Sequence, residues 1–194
     1  NQQNIWIAQR EGRAKDGIDK TNAAIISMLM LNKDKPMPIG EYFQQLNIVP
    51  VAISYEYDPC DSDKAKELCE RALTGEYEKA ANEDVKSMTQ GIIGNKGRIH
   101  IEFCTPLQGD FEDSKSVAAA IDQQIISNYK LWDSNQAAHA QLTDQAIDPS
   151  TLAKLKNRMI GLNEAQQHWL LTMYANPVYA KLALGQVNEV ASTK

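Results

Sequence analysis

Apolar residues along the chain form short blocks that predict strands alternating with helices over the first hundred residues and helices alone after them. Ile5, Trp6 and Ile7 form a run of strand-favouring residues that stops at a polar stretch, Arg10 to Gly17, containing two glycines. A helix is predicted over residues 20–32; Ala24, Met28 and Leu31 share a face, but the segment is apolar nearly all round, which predicts deep burial. The stretch from Ile48 to Tyr57 predicts a second strand, its apolar run to Tyr55 continuous enough to be covered on both faces. Pro50 offers no N–H, so it belongs at the start of that strand or at a bulge. Helices are predicted from Asp61 or Ser62 to about Leu73 and over residues 82–93, the second with Val85, Met88 and Ile92 on one face. Arg98, His100 and Glu102 then alternate with Ile99, Ile101 and Phe103, the period of a half-exposed or edge strand.

After Pro106 the pattern is helical. Val117, Ile121 and Ile125 align on a helix over residues 114–131, and residues 137–144 read as a polar linker. Asp148-Pro149 caps and opens a helix bearing Leu152, Leu155 and Met159. Gly161 interrupts it, residues 163–175 resume with Trp169, Leu170 and Met173, and Asn176-Pro177 is expected to break the chain before a last helix over residues 178–190. The expected fold class is therefore α/β: a mixed, mostly parallel sheet covered by helices, followed by a helical C-terminal extension. The expected division is an α/β portion over residues 1–107 and the extension over residues 108–194. Three strands leave such a sheet short of neighbours, so missing upstream strands or a partner chain are expected to complete it.

Composition narrows the function. The 194 residues carry 20 Lys and Arg against 25 Asp and Glu, a net charge of -5 that disfavours general nucleic-acid binding. Cys60, Cys69 and Cys104 are too widely spaced for a disulfide framework or a zinc site, and reduced thiols in a cytoplasmic setting are expected. The apolar run from Ala23 to Leu31 is far shorter than a bilayer span. Asp58, Asp61 and Asp63 lack the glycine and glutamate of a calcium loop and suit helix capping, and no metal site or cofactor is implied.

Against this acidic background, Arg10, Arg13 and Lys15 stand within six residues, around Glu11 and Gly12. A glycine-hinged basic loop between a strand and a helix suits a phosphate, because glycine permits close backbone approach and arginine grips phosphate oxygens in a fork. The same charges also suit a solvated turn.

The block Ile5-Trp6-Ile7-Ala8-Gln9-Arg10-Glu11-Gly12-Arg13 resembles the apolar strand and E-G-x-R segment of the glycerolipid acyltransferases, the glycerol-3-phosphate and lysophosphatidate enzymes. Ile48-Val49-Pro50-Val51-Ala52-Ile53 resembles their later strand with its V-P dipeptide, in the right order, and the likeness extends over about residues 5–75. The resemblance implies that Glu11, Gly12 and Arg13 belong to the glycerol-phosphate site, and that Val49 and Pro50 shape a wall near the acyl chain or the loop beside it. Arg10 and Lys15 join this substrate site on charge alone. Arg13 follows Gly12 directly, without the residue many members carry between them, which leaves either Arg13 or Arg10 as the main phosphate contact.

The family's catalytic histidine and aspartate stand in an H-x-x-x-x-D motif before the E-G-x-R segment, where the histidine is the general base. No histidine precedes Arg10 here, so that pair is expected upstream of this chain and no catalytic residue is assigned within it. His139 and Asp144 have the spacing but lie on the wrong side of the loop. His100 reads as a paired edge residue and His168 as a packing residue. The implied activity is transfer of a fatty acyl group from acyl-CoA or acyl carrier protein to a glycerol-phosphate acceptor in phospholipid synthesis. Such an enzyme is expected in the cytoplasm, peripheral to the inner face of the cell membrane. The rival is a non-catalytic phosphate-binding or interaction module.

Overall fold

The computed structural model describes residues 4–10 and 14–185. It overturns the expected fold class. Of the described residues 55% are helical, and the described strands form a single antiparallel pair, where a mostly parallel sheet covered by helices was expected. The elements are α1 (Ala23–Leu29), followed by a 3₁₀ turn (Met30–Asn32), α2 (Ile39–Leu46), β1 (Val51–Tyr55), α3 (Asp61–Thr74), α4 (Glu83–Ile93), β2 (Ile99–Phe103), α5 (Ser114–Asn128), α6 (Asp133–Leu142), α7 (Pro149–Arg158) and α8 (Glu164–Ala183).

Ile5, Trp6 and Ile7 form no strand; all three are exposed in irregular backbone. Three β-favouring residues gain nothing from extension without a neighbour to take up their backbone hydrogen bonds. The strand begun by Pro50 does form. Cys104 N–H donates to the Pro50 carbonyl (2.9 Å) and Glu56 N–H to the Arg98 carbonyl (2.9 Å), so the pairing brackets β1 and β2. Pro50 sits one residue before β1, where it needs only to accept.

The described chain divides into two units, with the boundary inside both strands. The first comprises residues 4–10, Ala14, residues 19–52 and 102–128. Its core gathers Ile26 of α1, Phe43 of α2, Leu107, and Val117, Ala118 and Ile121 of α5. The deep burial expected of the first helix is not found: Ile26 is covered, whereas Met28 and Leu31 are exposed. The second unit comprises Lys15–Ile18, Ile53–Ile101 and residues 129–185. Its core is built where α8 packs against α6 and α3, from Ala65, Ala137, Ala138, Leu155, Met159, Leu170 and Tyr174 among others.

Two further expectations fail in this second unit. Residues 137–144 are no linker: most of them form α6, whose Ala137, Ala138 and Ala140 are buried. Alanine is the best helix former and lets helices approach closely, so this helix packs mainly through small residues, with Leu142 at its end the one large aliphatic side chain against the core. Pro177 does not end the last helix, and α8 continues unbroken to Ala183. The proline removes one backbone donor, and the packing along α8 outweighs that loss.

Candidate functional site

The basic loop is tied down at several points. In the first unit, Asn22 N–H donates to the Gln9 carbonyl (2.8 Å), closing the neck, while the Asn22 side chain caps α1 by accepting from Ala24 N–H. Thr21 donates twice to Asp122 Oδ1, from its N–H (2.8 Å) and its hydroxyl (2.6 Å). Arg10 is half-buried. Glu11, Gly12 and Arg13 lie outside the described residues.

In the second unit, the Lys15 ammonium pairs with the Glu67 carboxylate of α3. Glu67 is buried and also takes Arg71 at 2.9 Å, one helical turn along. Asn176 Nδ2 of α8 donates to the Asp16 carbonyl (2.6 Å). Gly17 has φ +75°, and a Cβ there would lie 2.1 Å from the Met173 carbonyl oxygen. Glycine is therefore required on both conformational and spatial grounds. Lys15 is thus engaged by a carboxylate, which leaves the arginines as the loop's candidate phosphate contacts.

Val49 is half-buried and Pro50 buried, held between the hydrogen bonds that reach Ile48 from Leu107 and Pro50 from Cys104. Neither lines a cleft of the second unit, an open bowl of about 690 Å³ bounded by Tyr57, Lys86, Gln90, Lys154 and Ile160.

The floor of that bowl is a polar network. Asp61, at the start of α3, is buried and pairs with Arg158 at the end of α7. Its carboxylate also accepts from Ser62 N–H (2.7 Å) and from the Tyr174 hydroxyl (2.8 Å). The Tyr174 hydroxyl in turn accepts from Asp58 N–H (2.9 Å), and Arg158 Nη2 donates to the Asp58 carbonyl (2.7 Å). Burial, reinforced by the Asp61 carboxylate, holds the Tyr174 phenol well above its ordinary range. Burial is the largest influence on Arg158 and opposes its charge, but the hydrogen bonds and charges of Asp61 and Tyr174 together outweigh it and the guanidinium is held more firmly protonated. With both Asp61 oxygens occupied, this network braces the β1–α3 loop and offers no free base.

His139 is buried on α6 against the Tyr179 ring (4.9 Å between centroids), and burial pulls its pKa down. Asp144 follows in a left-handed turn, φ +52°. His168 is exposed on α8, where packing was expected. Among the described residues no cluster of His, Cys, Asp and Glu is arranged to hold a metal ion. Sequence reasoning missed Glu67 and Asn176 as partners of the loop, because no local pattern signals pairings 52 and 160 residues away. Searched against protein-family models, curated proteins and solved structures, the chain matches none.

Proposed function

We propose that this chain is the acceptor-binding part of a glycerolipid acyltransferase. It would help move a fatty acyl group from acyl-CoA or acyl carrier protein to the hydroxyl of glycerol 3-phosphate or a lysophosphatidate. The observation that carries this reading is the basic loop Arg10–Gly17 followed, in the family's order, by the Val49-Pro50 dipeptide that leads into β1. The closed neck at Gln9 and Asn22 in the first unit and the seat of Asp16 and Gly17 in the second support it, since fixing the residues that flank a binding segment lowers the ordering cost of binding. Arg13 and Arg10 grip the phosphate, and Glu11 orients an arginine or meets an acceptor hydroxyl. On this reading the general base is the histidine of the family's H-x-x-x-x-D motif. The enzyme works at the cytoplasmic face of the cell membrane, in phospholipid synthesis. Among the described residues no helix is long and apolar enough to cross a membrane, and the exposed Val85, Met88, Ile92 and Ile93 of α4 suit a peripheral, apolar contact.

That same α4 face favours a second reading, a non-catalytic module that docks a partner. Thiol release from an acyl-CoA, measured with the protein expressed with its native flanking sequence, separates the two. The acyltransferase reading expects release that depends on glycerol 3-phosphate or lysophosphatidate. No acceptor-dependent release from acyl-CoA or acyl carrier protein, with no affinity for either acceptor, would leave the module.

A further inference from the structure

The composition of the loop suggests three phosphate ligands, but the structure gives Lys15 another task. We propose that Lys15 is the anchor of the loop and that Glu67, Asn176 and the Pro177 site of α8 form its seat. Only the identity of the ligand rests on the acyltransferase reading.

Three contacts converge on consecutive residues. Lys15 pairs with Glu67, whose side chain is 7% exposed. A buried carboxylate needs compensation, and Glu67 draws it from Lys15 and Arg71 together. Asp16 is held through its carbonyl by Asn176. Gly17 lies against the Met173 carbonyl, and Pro177 explains why that carbonyl is open to a neighbour. In a regular helix the N–H of residue 177 would bond to it, and proline has none. The proline that should have broken α8 instead leaves a gap in its hydrogen-bond ladder, and the glycine of the loop fills that position.

The seat can act on binding only through the chain itself, because Arg13 is two residues from Lys15 in sequence. Lys15 as anchor and Lys15 as ligand make opposite predictions. Glu67→Gln leaves the shape and weakens the hold on Lys15. If Lys15 is the anchor, Glu67→Gln weakens glycerol 3-phosphate binding, by about 10-fold for the loss of a charge-assisted contact. The double variant with Lys15→Met then binds no worse than either alone. If Lys15 is a ligand, Glu67→Gln frees it and affinity rises.

Two measurements on the full chain decide the matter. Titration with glycerol 3-phosphate reads the sign of the effect. Amide hydrogen exchange of residues 14–18, in the same variants and in Asn176→Ala, reads the seat directly and needs no ligand. Faster exchange confined to this segment, at unchanged melting temperature, supports the seat. Unaltered exchange, or tighter binding in Glu67→Gln, overturns it. A wild-type chain with no affinity for glycerol 3-phosphate but with the exchange response would remove the acyltransferase reading and leave the seat standing.

Discussion

Helices α4 and α8 belong to the same unit and both carry regularly spaced apolar residues, yet they meet opposite fates. Val85, Met88, Ile92 and Ile93 of α4 are all exposed, from 53% to 78%, and none of that helix is buried. In α8, Leu170, Leu171, Met173, Tyr174, Ala175 and Val178 are all buried, against α3 and α6. Periodicity identifies a face able to pack; it does not identify what packs there. Cover decides, and here α8 has it and α4 does not among the described residues. β2 repeats the lesson, for its alternation is clean while Ile99, Ile101 and Phe103 face outward.

The contrast breaks most severely at Leu170, which is fully buried. Leu170→Ala is expected to cost about 2–5 kcal/mol in denaturant unfolding, the range for a core cavity. A loss under about 1 kcal/mol would show that the α8 core is loosely packed. Tyr174→Phe removes the hydroxyl shared by Asp61 and Asp58 N–H and is expected to cost about 1–3 kcal/mol, because the groups left behind are buried.

A smaller effect concerns pH. The Arg98 fork holds the Glu56 carboxyl below its ordinary value of 4.5, through bonds of 3.0 Å and 3.1 Å. A carboxyl depressed in the folded state contributes its stability fully above the unfolded value and loses it as pH falls through the folded one. The stability gap between wild type and Glu56→Gln should therefore be constant above about pH 5 and close on acidification below 4.5. A gap that persists unchanged at pH 2 would show that the fork is not responsible. The smallest effect is expected on α4: Ile92→Gln should stay within about 0.5 kcal/mol of wild type. A loss above about 1 kcal/mol would mean that the face is covered in solution, and α4 would then join α8.

Local signals were legible where the chain states them in adjacent residues. Asp148 caps α7 by accepting from Thr151 N–H, with Pro149 in the first turn, as the dipeptide implies. Asn163 caps α8 in the same way, through Gln166 N–H, and Pro50 marks the start of β1. Illegible were the features set by distant partners. Ile5 to Ile7 had β-favouring residues but no strand beside them, and α6 hid its packing in alanines. Within the site, the cations of the loop were visible as a cluster, but Lys15 could not be told from its neighbours until Glu67 was placed beside it. Pro177 misled for a related reason: the rule that proline ends a helix holds for an isolated segment, and α8 is braced along its length.

The central claim is that the loop Arg10–Gly17 is a phosphate site, and calorimetric titration of glycerol 3-phosphate, with glycerol as control, tests it most directly. Wild type is expected to bind the phosphate ester and not glycerol. Arg13→Ala should lose about 10- to 150-fold in affinity, the equivalent of one charge-assisted contact, with Arg13→Lys recovering part of it. Equal affinities for wild type and for both Arg13→Ala and Arg10→Ala would contradict the account.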